Sequence, residues 1–158
     1  MWWTDSVPLW KQATFLRTAV ALLLGSIIGF ERQWRGKTSG IRTNALVCFG
    51  AAAFVDLATT IGGADQVARV ISYVVSGVGF LGAGVIIKDN LGSVRGLNTA
   101  ATLWCTAAVG ACAGAGQLVD ALYVTVLLVA INLALRPVGR WIDEHRRRPA
   151  TPAEEDID

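Results

Sequence analysis

Five apolar runs, each long enough to cross a bilayer, follow one another along the chain at about Phe15–Phe30, Ile41–Ile61, Val70–Ile87, Leu97–Ala115 and Leu118–Leu135. Each holds about 16–21 residues, the length a helix with little tilt needs to span a ~30 Å hydrocarbon core. Charged residues make up only 16% of the 158 positions, against roughly 25% in an average soluble domain. Mean hydropathy is +0.49. The fold expected is an all-α membrane protein, a bundle of five transmembrane helices occupying residues 1–136. The last two runs are separated by Gly116-Gln117 alone, which requires a tight helical hairpin. Residues 137–158 follow as a cytoplasmic tail, basic first and then acidic with prolines. The acidic end lacks the apolar surface to fold, and the arginines before it suit anionic lipids at about 1 kcal/mol each or simply enforce topology.

All but three of the 14 basic residues fall in one set of loops. Arg32, Arg35, Lys37 and Arg42 flank the first connection, Lys88 and Arg95 the third, and Arg136, Arg140, Arg146, Arg147 and Arg148 the tail. Lys11, Arg17 and Arg69 belong to the other side. The positive-inside rule then places the N-terminus outside and the C-terminus in the cytoplasm. Trp2, Trp3 and Trp10 would lie at the outer interface, Trp34 and Trp141 at the inner one. The first residues carry an acid and no early basic cluster, so the first run reads as retained rather than cleaved.

From Gly77 to Trp104 the third and fourth runs are crowded with small residues, with glycines at 77, 79, 82 and 84. Each glycine weakens a helix relative to alanine, a cost that makes sense where backbones approach closely. Close packing of these two helices is therefore expected. Gly77-Val-Gly-Phe-Leu-Gly82 matches the letters of a dinucleotide loop, but it follows no soluble strand and has no acid near position 100. Gly36-Lys37-Thr38 resembles the end of a P-loop, yet its first glycine would have to be Glu31. An intramembrane serine protease needs a histidine base, and the one histidine, His145, is in the tail. An aspartyl protease needs two carboxylates, and only Asp56 lies well inside a run. Cys48, Cys105 and Cys112 have no paired spacing and read as buried small residues. No enzyme, cofactor or nucleic-acid partner is expected.

Asp56 is the most costly residue to place. At 1.5 Å per residue it lies about 22 Å from the inner edge, and Arg17 lies at about 21 Å in the first run. A carboxylate at that depth wants a partner or a water-filled cavity. Pairing with Arg17, or with Arg69 just beyond, is expected, and a structural ion pair is favoured over an ion pathway. At the inner side Glu31 and Arg32, Arg42 and Asn44, Lys88, Asp89 and Arg95, and Asn98 form either a solvated interface network or a polar site at the mouth of the bundle. Asn98, Thr102, Thr106, Gly110 and Gly114 recur every four residues, as do Ala21, Gly25 and Gly29. Such stripes permit close crossings, with polar bonds worth about 0.6–2 kcal/mol each. They serve packing within one subunit or, alternatively, a homo-oligomer.

Four blocks in order resemble the MgtC/SapB family: Gly25-Ser-Ile-Ile-Gly-Phe-Glu-Arg-Gln, Gly40-Ile-Arg-Thr-Asn-Ala-Leu, the Gly77–Asp89 run, and Val94-Arg-Gly-Leu-Asn-Thr-Ala-Ala-Thr-Leu-Trp-Cys. The likeness covers about Gly25 to Arg136. Asn98 and Cys105 resemble one branch, many other members carrying Thr at the first of these positions. The resemblance implies a multi-pass protein of the bacterial inner membrane, linked to growth in low magnesium and to survival inside macrophages. It implies a regulator of other membrane proteins, the F-type ATP synthase among them, rather than a magnesium carrier. Longer members add a cytoplasmic ACT-like domain, absent from the residues up to Asp158, so a short form is expected. The residues expected to matter are Asn98, Thr99, Thr102 and Cys105, with Glu31, Arg32, Arg42 and Asn44. The alternative is a transporter or channel for Mg²⁺ or another ion. One embedded Asp and two interfacial acids form a thin ligand set for it, unless an oligomer assembles a ring.

Overall fold

The computed structural model describes residues 9–88 and 93–146, so Trp2, Trp3, Asp89 and the acidic end of the tail lie outside the described residues. Five helices form in order: α1 (Leu9–Trp34), α2 (Ile41–Ile61), α3 (Ala64–Val85), α4 (Leu97–Gly114) and α5 (Leu118–Arg146). Helix α2 has the limits read from the sequence. Helices α1, α3 and α5 outrun their apolar cores, because polar flanks with good helix propensity continue the backbone ladder. Helix α5 runs through Pro137 to Arg146, and His145 Nδ1 lies 2.8 Å from the Trp141 carbonyl one turn back. Between α3 and α4 the chain makes a hairpin of two short antiparallel strands, β1 (Ile87–Lys88) and β2 (Val94–Arg95), with Ile87 opposite Arg95.

Among the described residues, four helices are long and apolar enough to cross a membrane: α1, α2, α3 and the Leu118–Leu135 part of α5. Their outward side chains are large and apolar, Phe15, Phe54, Phe80 and Ile131 among them, as contact with lipid requires. Helix α4, at 18 residues or about 27 Å, is the exception in composition. It carries Asn98, Thr99, Thr102 and Thr106, and it packs against all four other helices. Surrounded by protein, it can keep hydroxyls that lipid would penalise.

The main core joins α1, α2, α4 and α5 through Ala21, Leu24, Ile28, Cys48, Ala52, Val109, Ala113, Ala121 and Leu128. Helix α3 attaches at the side, where Val78 meets Ala51 and Ala107. Glycines set the closest crossings. A methyl group on Gly25 would sit 2.6 Å from Cys48 Cβ, and one on Gly29 2.5 Å from Ile41 Cα. On α4, methyl groups at Gly110 and Gly114 would strike the carbonyls of Cys48 and Ala52. Helix α2 is thus clasped between the small stripes of α1 and α4, which serve packing within one subunit. Helix α3 does pack against α4, but the role expected of its glycines needs correcting. Nothing lies within 4 Å of a methyl group placed on Gly77, Gly79 or Gly84, and only Gly82 touches α4, at Ala100. Those glycines do not tighten the α3–α4 pair.

Candidate functional site

The polar residues of the bundle gather in two places. Toward one end, Arg17 Nη1 of α1 reaches Asp56 Oδ1 of α2 at 2.9 Å. Asp56 is buried, while the exposed Arg69 stands apart. Thr59 lies beneath the same guanidinium nitrogen at 3.4 Å, and its hydroxyl, like that of Thr60, donates to the Asp56 carbonyl. Gly116, at φ 82° in the α4–α5 turn, lies against the other face of Arg17. The pair ties α1 to α2 beside the α4–α5 turn. A carboxylate held this way is neutralised within its own subunit.

About 22 Å along α1, the second group is larger. Arg32 is only 2% exposed, and its Nη2 donates to Thr99 Oγ1 of α4 at 2.8 Å. Asn44, fully buried, bridges the α1–α2 turn to α4. Its Nδ2 reaches the Ser39 and Gly40 carbonyls at 3.1 and 3.0 Å, while Oδ1 lies 3.0 Å from Thr106 Oγ1. The one hydroxyl hydrogen of Thr106 also lies within reach of the Thr102 carbonyl, and Thr102 donates to Asn98 O. Buried polar groups that are connected in this way specify one arrangement of three helices. Glu31 Oε1 forms an ion pair with Arg35 Nε, 2.7 Å away one turn on.

A cavity of about 270 Å³ opens beside this network, lined by Glu31, Arg32, Arg35, Lys37, Asn98 and Asn132. Both carboxylate oxygens of Glu31, Arg32 Nε and Asn132 Nδ2 are buried there without a hydrogen-bond partner among the described residues. Asn132 is the residue that the reading of the sequence missed. Its signal was an amide within the otherwise apolar run of α5, a placement that membranes penalise.

Of the candidates named from the sequence, Glu31, Arg32, Asn98 and Thr99 converge, and Arg95 joins them across a second cavity. Asn44 and Thr102 stand behind them as buried supports. Arg42 and Lys88 are exposed and line neither cavity. Cys105 lies two turns beyond Asn98, half-buried against the main core. Only Cys48 of the three thiols is fully buried. Asp56 belongs to the other group.

The family model described as the MgtC family matches residues 18–141. The chain belongs to the MgtC family. It is 53% identical over 125 residues to Protein MgtC of Brucella abortus (strain 2308), covering 79% of this chain and 52% of that one. With Protein MgtC of Salmonella typhimurium (strain 14028s / SGSC 2262) the identity is 47% over 129 residues, covering 82% and 55%. The chain thus spans about half the length of the curated relatives it matches. No solved structure is a significant match. The MgtC-family match takes in both polar groups except Arg17, which falls one residue before it.

Proposed function

We propose that the chain is a non-enzymatic regulator of the bacterial inner membrane. It acts through helix contacts with other membrane proteins, such as the F-type ATP synthase, in adaptation to low magnesium and in virulence. Its N-terminus lies outside and its C-terminus in the cytoplasm. The observation that carries this reading is the unused small-residue surface of α3. Gly77, Gly79 and Gly84 meet nothing among the described residues of their own chain, although each weakens the helix. Beside them, a groove of about 610 Å³ between α2 and α3 is lined by Gly50, Phe54, Tyr73 and Leu81. Small residues at a helix surface let a second helix approach closely in lipid. The alternative, an ion carrier, gains little from Asp56 and Glu31, since each is held by an arginine of the same subunit.

Two measurements test the proposal. Leucines at Gly79 and Gly84 should leave folding intact while removing co-purification of the synthase and the low-magnesium growth phenotype. Purified protein in liposomes should carry no Mg²⁺ flux. Flux that disappears with Asp56→Asn or Glu31→Gln would establish the carrier instead, and full partner binding by the leucine variant would remove α3 as the contact.

A further inference from the structure

Two turns meet at the end of the bundle that holds Arg32. The α1–α2 turn brings Lys37 and Thr38, and the end of the hairpin brings Arg95 and Gly96 to the start of α4. Between them lies a cavity of about 770 Å³, within the range of about 300–1,000 Å³ usual for small-molecule sites. Among the described residues the charged side chains lining it are Arg32, Lys37 and Arg95, all cationic. The carboxylate facing this region among the described residues is Glu31, on the adjoining cavity and engaged by Arg35. Lys37 and Arg95 are exposed and form no salt bridge among the described residues.

Two independent features point to an acceptor that the described residues do not supply. Arg32 is nine-tenths buried and more, lines both cavities, and leaves Nε without a partner after Nη2 has bonded Thr99. A buried donor left without an acceptor carries a desolvation cost, which the neighbouring Glu31 charge offsets only in part. Helix α4 also begins here without a side-chain cap, its N-cap being Gly96 at φ 91°. The first amides of the helix therefore face the cavity region with the positive end of the helix dipole behind them. A methyl group on Gly96 would strike the Val85 carbonyl, so this backbone is held against the end of α3.

We propose that this cavity binds a phosphate group. Arg32 is its buried anchor, Lys37 and Arg95 are the charges that close over it, and the first amides of α4 with the Thr99 hydroxyl are neutral donors. Guanidinium and helix-terminal amides together match a tetrahedral oxyanion with several acceptor oxygens. The phosphate belongs either to a phospholipid headgroup or to a soluble ion. Trp34, 81% exposed and tilted against Phe30 one turn back on α1, marks the level where headgroups lie. The assignment is independent of the helix-contact reading and uses none of α3's outer surface.

The test uses the full chain, purified in detergent and in nanodiscs of phosphatidylcholine with phosphatidylglycerol. Titration with inorganic phosphate, followed by thermal shift, reads the soluble source. Retention of phosphatidylglycerol over phosphatidylcholine in native mass spectrometry reads the lipid source. For whichever phosphate binds, Lys37→Gln with Arg95→Gln should weaken binding by about tenfold or more. Arg42→Gln with Arg69→Gln, the same charge change outside the cavity, should alter it by less than about twofold. Both doubles replace exposed side chains that make no ion pair among the described residues, so both should fold. Binding of neither phosphate by the unaltered chain, or equal weakening by the two doubles, would overturn the proposal.

Discussion

The Arg17–Asp56 pair is the residue-scale feature that the sequence made most legible, because a helix is a ruler. Counting 1.5 Å per residue put the two charges at one depth before any fold was known, and the structure joins them at 2.9 Å. Removing Arg17 alone strands a carboxylate that is only 3% exposed. Arg17→Gln should therefore cost about 3 kcal/mol, and adding Asp56→Asn should recover more than half of it. A double-mutant cycle in a single detergent checks this, and additive losses would show that the two residues do not interact. Asn132 was harder to see. An isolated amide in an apolar run says that something polar lies opposite, without saying that Glu31 and Arg32 do.

Helix contacts decide which glycines matter, and there the sequence misled. Gly25, Gly29, Gly110 and Gly114 press on the backbone or Cβ atoms of α2 or its N-terminus, while Gly77, Gly79 and Gly84 meet nothing. Gly79→Ala should raise stability by about 0.5–1 kcal/mol through helix propensity alone. Gly110→Ala should lower it, because a methyl group cannot share space with the Cys48 carbonyl. Thermal unfolding in detergent gives both signs, and the same sign for both would contradict the packing described. Periodicity could show that each stripe is small, but what lies opposite is tertiary information. The apolar runs were readable for a different reason: hydrophobic length is a property of the segment itself. The two-residue strands of the hairpin are too short to leave any period in the sequence.

The whole molecule is a core of α1, α2, α4 and α5 with α3 at its side, and its polar residues divide between its two ends. The α1–α2 turn and the hairpin, carrying Lys37, Lys88 and Arg95, share the end that the charge bias assigns to the cytoplasm. The α2–α3 link at Gly62-Gly63 and the turn at Gly116 fall at the other. In cells, a cysteine at Lys37 should react only with a reagent that enters the cytoplasm, and one at Ala64 with an impermeant reagent. The reverse pattern would invert the bundle. Helix α4 also bears on how such a chain is made. Synthesis delivers α1, α2 and α3 to the membrane before α4 emerges, so the partners of Thr99 and Thr106 are already there. A segment that carries several hydroxyls enters among neighbours that complete its hydrogen bonds, and its insertion is coupled to its folding.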